Sequence, residues 1–404
     1  MEHISLSELE SRWNRCRKLL REHVPSAEGV VVFSRMNIYY FTGTFGNGLF
    51  WLPLEGEPVH LCRRGCDRAE IESPQERIVP FYSYKDVEGA LRDAGSPLGK
   101  TIAVEMNGLS WMLGNSFTKN LPGRQFLSGD KVLSITRSKK SAWELERLRI
   151  AGAKHKTCLV DLLPPLLKKG MSELEMAHAI SELFFSQGHH GILRTENYGE
   201  ELYLGYVSIG ESGNYPSVFN GPLGLRGIHP AVPHMGSNHV VWEEGLPLSI
   251  DNGFMHEGYQ TDKTQVYWLG ARGTIPSPVT KAFDCCVNIQ QRLAEKLKPG
   301  ARPSELWEEC LTLAKKGGFE EGFMGLGRNK VPFVGHGIGL AIDEYPVIAK
   351  GFEVPLEEGA TLAIEPKIGI AGVGMVGLEN TFEVTPQGGR CMTGEKHDII
   401  CVPA

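Results

Sequence analysis

"IDNGFMHEGYQTD", residues 250–262, sets two aspartates, Asp251 and Asp262, around a short segment containing Gly253 and Gly258. The flanks "LPLSIDNGF" and "YQTDKTQVYWL" are rich in β-branched and aromatic residues with polar residues alternating, the pattern of strands. A two-residue loop at His256 and Glu257 pairs Met255 with Gly258 and sets Asp251 directly opposite Asp262. Opposed residues share a sheet face, with Cβ atoms about 4.5–5.5 Å apart. Two carboxylates that close repel each other, and one is driven toward protonation unless a cation lies between them. The register is costly alone and sensible around a metal. A slipped register would instead send one aspartate to solvent.

The chain has 404 residues, enough for two domains. Its 41% hydrophobic and 22% charged residues are the balance of a globular protein. A net charge of −6 gives no reason to expect nucleic acid or an anionic membrane as partner. No apolar run approaches the roughly 20 residues that span a bilayer. The opening "MEHISLSELESRWNRCRKLL" is charged and amphipathic, without the apolar core of an export signal, so a cytoplasmic location is expected. Nine cysteines are scattered along the chain. Cys62 and Cys66 are spaced CxxxC and Cys285 and Cys286 are adjacent, neither a zinc-ribbon nor a thioredoxin spacing, so reduced thiols are expected.

The pattern of elements is α/β (α+β). A helix over about 5–22 precedes the strand "GVVVFS", then strand-like "IYYFTG", a hairpin in "GLFWLPLEGEPVHLC" and the strand "TIAVEM". A basic run in "TRSKKSAWELERLRIAG" leads into a helix with Trp143, Leu148, Ala151, Leu159 and Leu162 near one face, interrupted at Pro164–Pro165. The domains expected are 1–136 and 137–404. In the second, Ser172 and Glu175 have capping-box spacing, with Gly188 as the stop. Two further helices fit 277–300 and 302–318, and strands are expected around 202–209, in the hairpin 247–269, and over 361–368 and 376–384. Residues 211–238, rich in Gly and Pro with Arg226, His229 and His234, read as a long rim loop over a binding site.

Three more residues complete a site begun by the aspartates. His336, in "FVGHGIGLAIDEYP", stands among glycines 335, 337, 339 and 351, where backbone can approach a ligand. Glu365 and Glu379, in "TLAIEPKIGIAGVGMVGLENTFEV", lie on two strand-like runs, and counting from a turn near Gly372 sets them opposite each other. Each follows an apolar residue, and a buried glutamate is rare unless paired or metal-bound. Four carboxylates and one imidazole balance two divalent ions. Oxygen-rich ligation favours Mn, with Zn, Co or Fe as alternatives.

In order and context these five residues resemble the ligand signature of the pita-bread metallopeptidases, the family of methionine aminopeptidase, aminopeptidase P and prolidase. "GHGIGL", "EYP", "IEPKIG" and "LENTFEVT" look like its strand-and-loop motifs, and "NIYYFTGTFGNGLFWLPLEGEP" resembles a creatinase-type N-terminal domain. The resemblance implies a creatinase-like α/β domain followed by a pita-bread domain, a curved antiparallel sheet covered by helices. It implies two metals holding a water between them, with Asp251 and Glu379 bridging, Asp262 on one ion, and His336 and Glu365 on the other. The implied reaction is hydrolysis of short peptides at an Xaa-Pro bond. Glu365 would move the proton, and His234 in "AVPHMG" would assist at the substrate side. His229 and His239 match no family position. Arg226 could reach a substrate carboxylate or be a solvated loop residue. Relatives with this N-terminal domain are often dimers, so a homodimer acting on a small peptide or small molecule is expected.

Two positions depart from the family. The histidine usually found seven residues after the ligand histidine is Asp343, and the arginine two before the last glutamate is Gly377, so a steadying cation is missing. Asp343 could hydrogen-bond a loop N–H in a peptidase. It could also be the acid/base of a metal-dependent small-molecule hydrolase or lyase on the same scaffold, as some superfamily branches are. A non-enzymatic binding module is disfavoured, because all five ligand positions keep metal-binding side chains.

Overall fold

A computed structural model of the chain describes residues 3–196, 200 and 202–404. By its internal contacts it divides into units 1–137 and 138–404. The first holds a six-stranded mixed sheet in the order Ile78–Pro80, Val59–Arg64, Asn47–Pro53, Gly29–Val32, Thr101–Val104, Gln125–Ser128. Its core gathers Val31, Leu49, Trp51, Leu61, Ile102 and Phe117. The segment "IYYFTG" is not a strand. It belongs to the helix Arg35–Thr42, because the Ser34 hydroxyl caps the Asn37 N–H at one end and Gly43, at φ 78°, closes the other.

The second unit carries the candidate ligands. Its four-stranded sheet runs Ile400–Val402, Tyr259–Leu269, Pro247–His256, Gly205–Ile209, antiparallel except for the parallel first pair. A five-stranded antiparallel sheet runs Glu344–Ala349, Phe333–Gly337, Thr361–Ile364, Asn380–Thr385, Gly388–Cys391. The helices Ser277–Lys296 and Pro303–Lys316 bury Val279, Phe283, Ile289 and Leu306 with Leu362, Ile364 and Val384. The helix Glu173–Ser186 buries Met176, Ile180 and Phe184 with Ile250 and Phe254. Its start has the expected capping box of Ser172 and Glu175, and Gly188 follows it at φ 82°.

The helix Ala142–Lys156 continues into a π turn, Thr157–Leu162, before Pro164. A π turn fits more residues per revolution, so Leu159 stays buried while Leu162 rotates out to 38% exposure instead of sharing its face.

The runs 361–368 and 376–384 are each two strands rather than one. Lys367–Ile370 and Gly374–Gly377 form a separate two-stranded ribbon. The break falls at Glu365–Pro366 and Leu378–Glu379. Pro366 has no N–H to extend the ladder; its carbonyl still accepts from the Leu378 N–H.

Candidate metal centre

The hairpin of Pro247–His256 and Tyr259–Leu269 pairs His256 with Tyr259, and its turn is Glu257–Gly258 with φ of 48° and 86°. Two left-handed residues in succession make a primed turn, which matches strand twist. The register is therefore shifted by two from the expected one. Asp251 faces Thr264, and Asp262 faces Gly253. A shift of two keeps every side chain on its face, so the aspartates remain on one face, diagonal rather than opposed.

In the second hairpin the count about Gly372 holds through both ladders, from Lys367 opposite Gly377 to Ile364 opposite Asn380. Glu365 and Glu379 lie between these pairs, at the seam between ribbon and sheet. An antiparallel bridge between Thr264 and Glu379 stitches the two hairpins together, and the Thr264 hydroxyl donates to Glu379 Oε2 at 2.9 Å. Thr381 ties the same pair of hairpins by accepting from the Asp262 N–H and donating to its carbonyl.

His336 enters from the strand Phe333–Gly337, where the pairing with Glu344–Ala349 is irregular on both sides of it. Such bulges re-aim side chains. Its Nδ1 lies 3.1 Å from the Gly337 carbonyl, which leaves Nε2 facing Glu365 and Glu379 at 3.7 and 3.8 Å. The flanking glycines make room for neighbouring strands rather than for a ligand. A Cβ at Gly335 would lie 2.4 Å from the Ala363 carbonyl oxygen, and one at Gly337 would lie 2.3 Å from that of Tyr345.

Among the described residues the ligand atoms fall into two clusters, Asp262 with His336 and Glu379, and Asp251 with Glu365 and Glu379. They line one cavity, whose apolar wall is Leu202, Tyr206, Phe219, Leu223 and Ile342. Phe219 and Leu223 come from the long 211–238 segment. Glu173 holds both ends of that segment by accepting from the Ile209 and Ser237 N–H groups at 2.8 and 2.7 Å.

The expectation that the site lacks its cation is wrong. Lys367, 1% exposed along its side chain, donates to Glu365 Oε2 and Glu379 Oε2, each at 2.7 Å, and lies 3.2 Å from Asp251 Oδ2. It stands directly opposite Gly377, so the positive charge comes from the facing strand. Burial opposes the charged form, but these three carboxylates outweigh it and hold the ammonium well above the usual lysine range. Burial pushes the Asp251 carboxyl up to about 7 against the pull of Lys367. Burial, then Glu379 and Asp251, push Asp262 well above its ordinary value.

The residues fit a divalent ion at the first cluster. Glu379 Oε1 is buried without a hydrogen-bond partner while its Oε2 serves Lys367 and Thr264. An orphaned carboxylate oxygen beside an imidazole nitrogen and a second carboxylate is a ligand set for a cation. At the second cluster, where another ion was expected, one carboxylate oxygen of each of the three residues meets the ammonium of Lys367.

Asp343 Oδ1 accepts the Glu196 N–H at 2.8 Å. Asp343 and His336 line a neighbouring cavity together, and burial pushes the Asp343 carboxyl up to about 7. His234 does not line the cavity above the ligands. It is half-buried at φ 56° and stacks on Tyr203 at 5.3 Å, with burial lowering its pKa. Arg226 lies over the Tyr215 ring at 4.9 Å, and His229 and His239 are exposed.

The sequence reading missed Lys367 altogether. The signal was present: residue 367 shares a strand face with 365 by the two-residue period, and the count about Gly372 sets it opposite the glycine already noted as unusual.

Comparison with known proteins agrees with this architecture. The model of metallopeptidase family M24 matches residues 146–386, and the creatinase/prolidase N-terminal domain matches 12–139. The Xaa-Pro dipeptidase of Pyrococcus furiosus is 23% identical over 396 residues, 97% of this chain and all of that protein. Among solved structures, an Xaa-Pro dipeptidase from Bacillus anthracis superposes with a TM-score of 0.80 at 19% identity, covering 98% of this chain and 100% of that one. The prolidase of Pyrococcus horikoshii OT3 gives 0.77 at 20%, covering 96% and 100%. The second unit has the expected pita-bread fold, and the first is the expected creatinase-type domain.

Proposed function

The chain belongs to metallopeptidase family M24, and from that premise we propose that it hydrolyses short peptides at an Xaa-Pro bond with the help of a divalent ion. The observation that carries this reading is the cavity, with Asp251, Asp262, His336, Glu365 and Glu379 beneath an apolar wall. The charged floor suits the reacting amide, and Tyr206, Phe219 and Leu223 suit a prolyl ring or apolar side chain. Asp262 Oδ, His336 Nε2 and Glu379 Oε1 would hold the ion. Their mixture of two oxygens and one nitrogen favours manganese, with zinc, cobalt or iron as alternatives.

A bound ion supplies Lewis acidity toward the peptide carbonyl and lowers the pKa of water. Glu365 fits the task of taking that proton and passing it to the leaving amine, through the oxygen not engaged by Lys367. His234 then belongs to substrate contact away from the ion, or to the packing of its own loop with Tyr203. The same reading takes the protein as a cytoplasmic homodimer; its nine cysteines are free thiols.

A second reading, a small-molecule hydrolase or lyase with Asp343 as acid/base, is favoured by one observation: Asp343 shares a cavity with His336. The deciding assay supplies Mn²⁺ and a panel of Xaa-Pro dipeptides and tripeptides. Release of the N-terminal residue supports the peptidase. No turnover on any peptide by ion-loaded protein would move the assignment to the second reading.

A further inference from the structure

We infer that the ammonium of Lys367 stands permanently in one of the two cation positions of this centre, so that the protein binds a single divalent ion. The three carboxylates Lys367 touches are the members of one ligand cluster, Asp251, Glu365 and Glu379. An ammonium has three N–H donors, and here three carboxylate oxygens surround it. It cannot turn to solvent without leaving a pocket in which it is 1% exposed.

A metal ion coordinates carboxylate oxygen at about 2.0–2.2 Å. An ion on the oxygens that face Nζ would stand against a like charge in a space already filled. The remaining cluster has the opposite character. Among the described residues, Lys367 pairs with this cluster only through Glu379 Oε2, and Glu379 Oε1 is left unpartnered beside Asp262 and His336. Three protein ligands with further positions open is the usual form of a catalytic single-ion site.

The backbone shows how the lysine is accommodated. Opposite it, Gly377 has no side chain, and a Cβ there would lie 2.9 Å from Lys367 Cγ. The glycine clears the channel along which the lysine reaches the carboxylates. One ion and the ammonium together set three positive charges against four negative ones.

This inference rests on reading the centre as a metal site, but its test is separate from peptide turnover. The full chain is stripped with chelator, titrated with Mn²⁺, and read by elemental analysis and electron paramagnetic resonance. The expected result is one Mn²⁺ per chain at saturation, with the spectrum of an isolated ion. Lys367→Ala is expected to take two, with an exchange-coupled spectrum. Two ions or none in the unaltered protein would overturn the inference, as would a folded Lys367→Ala that still saturates at one. If Lys367→Ala does not fold, Lys367→Gln, which keeps length without charge, takes its place beside the unaltered protein's stoichiometry. One ion without turnover on any Xaa-Pro peptide would sink the peptidase reading and leave this inference standing. Turnover with two ions would do the reverse.

Discussion

Lys367 and Gly377 face each other across a two-stranded ribbon, and the lysine occupies the room that the glycine leaves. A Cβ at 377 would also lie 2.4 Å from the Pro366 carbonyl oxygen and 2.7 Å from Lys367 Cα. Both are backbone atoms, so the strands themselves would have to part. Gly377→Ala is expected to destabilise the second unit by about 1–3 kcal/mol, read as a lower midpoint in chemical denaturation. An unchanged midpoint would show that the ribbon is not closely packed there.

Removing the buried ammonium leaves Asp251, Glu365 and Glu379 uncompensated. Lys367→Met is expected to lose about 3–5 kcal/mol in chelator, the usual cost of breaking a buried ion pair. Added Mn²⁺ should then raise its melting temperature more than that of the unaltered protein, since the ion binds only the folded chain. Equal increments in both proteins would contradict the assignment of Lys367 as a cation in the centre.

On the proposed reading Asp262 would hold the ion, and Lys367 forms ion pairs with Asp251, Glu365 and Glu379 instead. Asp262→Ala should lower kcat/KM by at least about 100-fold and reduce bound Mn²⁺ to background by elemental analysis. The fold should persist, because the backbone hydrogen bonds of residue 262 to Thr381 are untouched.

Asp343 accepts a backbone N–H from Glu196, which asparagine can also do through its side-chain carbonyl oxygen. Asp343→Asn is expected to keep peptidase turnover within about threefold. A loss of roughly 100-fold or more, the scale of general acid–base catalysis, would instead give Asp343 a chemical role.

His189 supplies a pH dependence away from the centre. Its Nδ1 accepts the Met255 N–H at 2.9 Å, so the ring is neutral where it holds the strand Pro247–His256. Burial, then the charge of His190, lowers its pKa to about 4. The unfolded ring titrates near the ordinary histidine value of about 6.5, so between the two the unfolded chain binds more protons. The contribution is complete above about pH 6.5 and is lost as pH falls toward 4, by about 3 kcal/mol at most. His189→Gln should flatten the stability–pH slope in that window, measured by denaturation at stepped pH. A slope equal to that of the unaltered protein would count against it.

Much of the second unit was legible because its signals are local. The capping box at Ser172, the stop at Gly188 and the hairpin register about Gly372 each lie in a few adjacent residues. The first hairpin was misread by two because Glu257, not a usual left-handed residue, joins Gly258 in the turn. "IYYFTG" was misread because the aromatic and β-branched residues suit a buried helix face as well as a strand, and Ser34 and Gly43 decided the matter. The role of Lys367 was hidden for another reason. A lysine in a strand reads as solvated, and only three acids brought together from two hairpins make its burial favourable.

Glu365, Lys367 and Glu379 all ride on a single hairpin turned at residues 371–373. Two anions therefore find their counter-ion within one short stretch, and a contact of that span forms in about 1–10 μs. Asp251 alone of the three partners comes from the other hairpin, Pro247–His256 with Tyr259–Leu269. Maturation of this half then does not wait on the metal content of the surroundings. A polypeptide made under metal starvation should still reach its native shape and stand ready for the ion when supply returns.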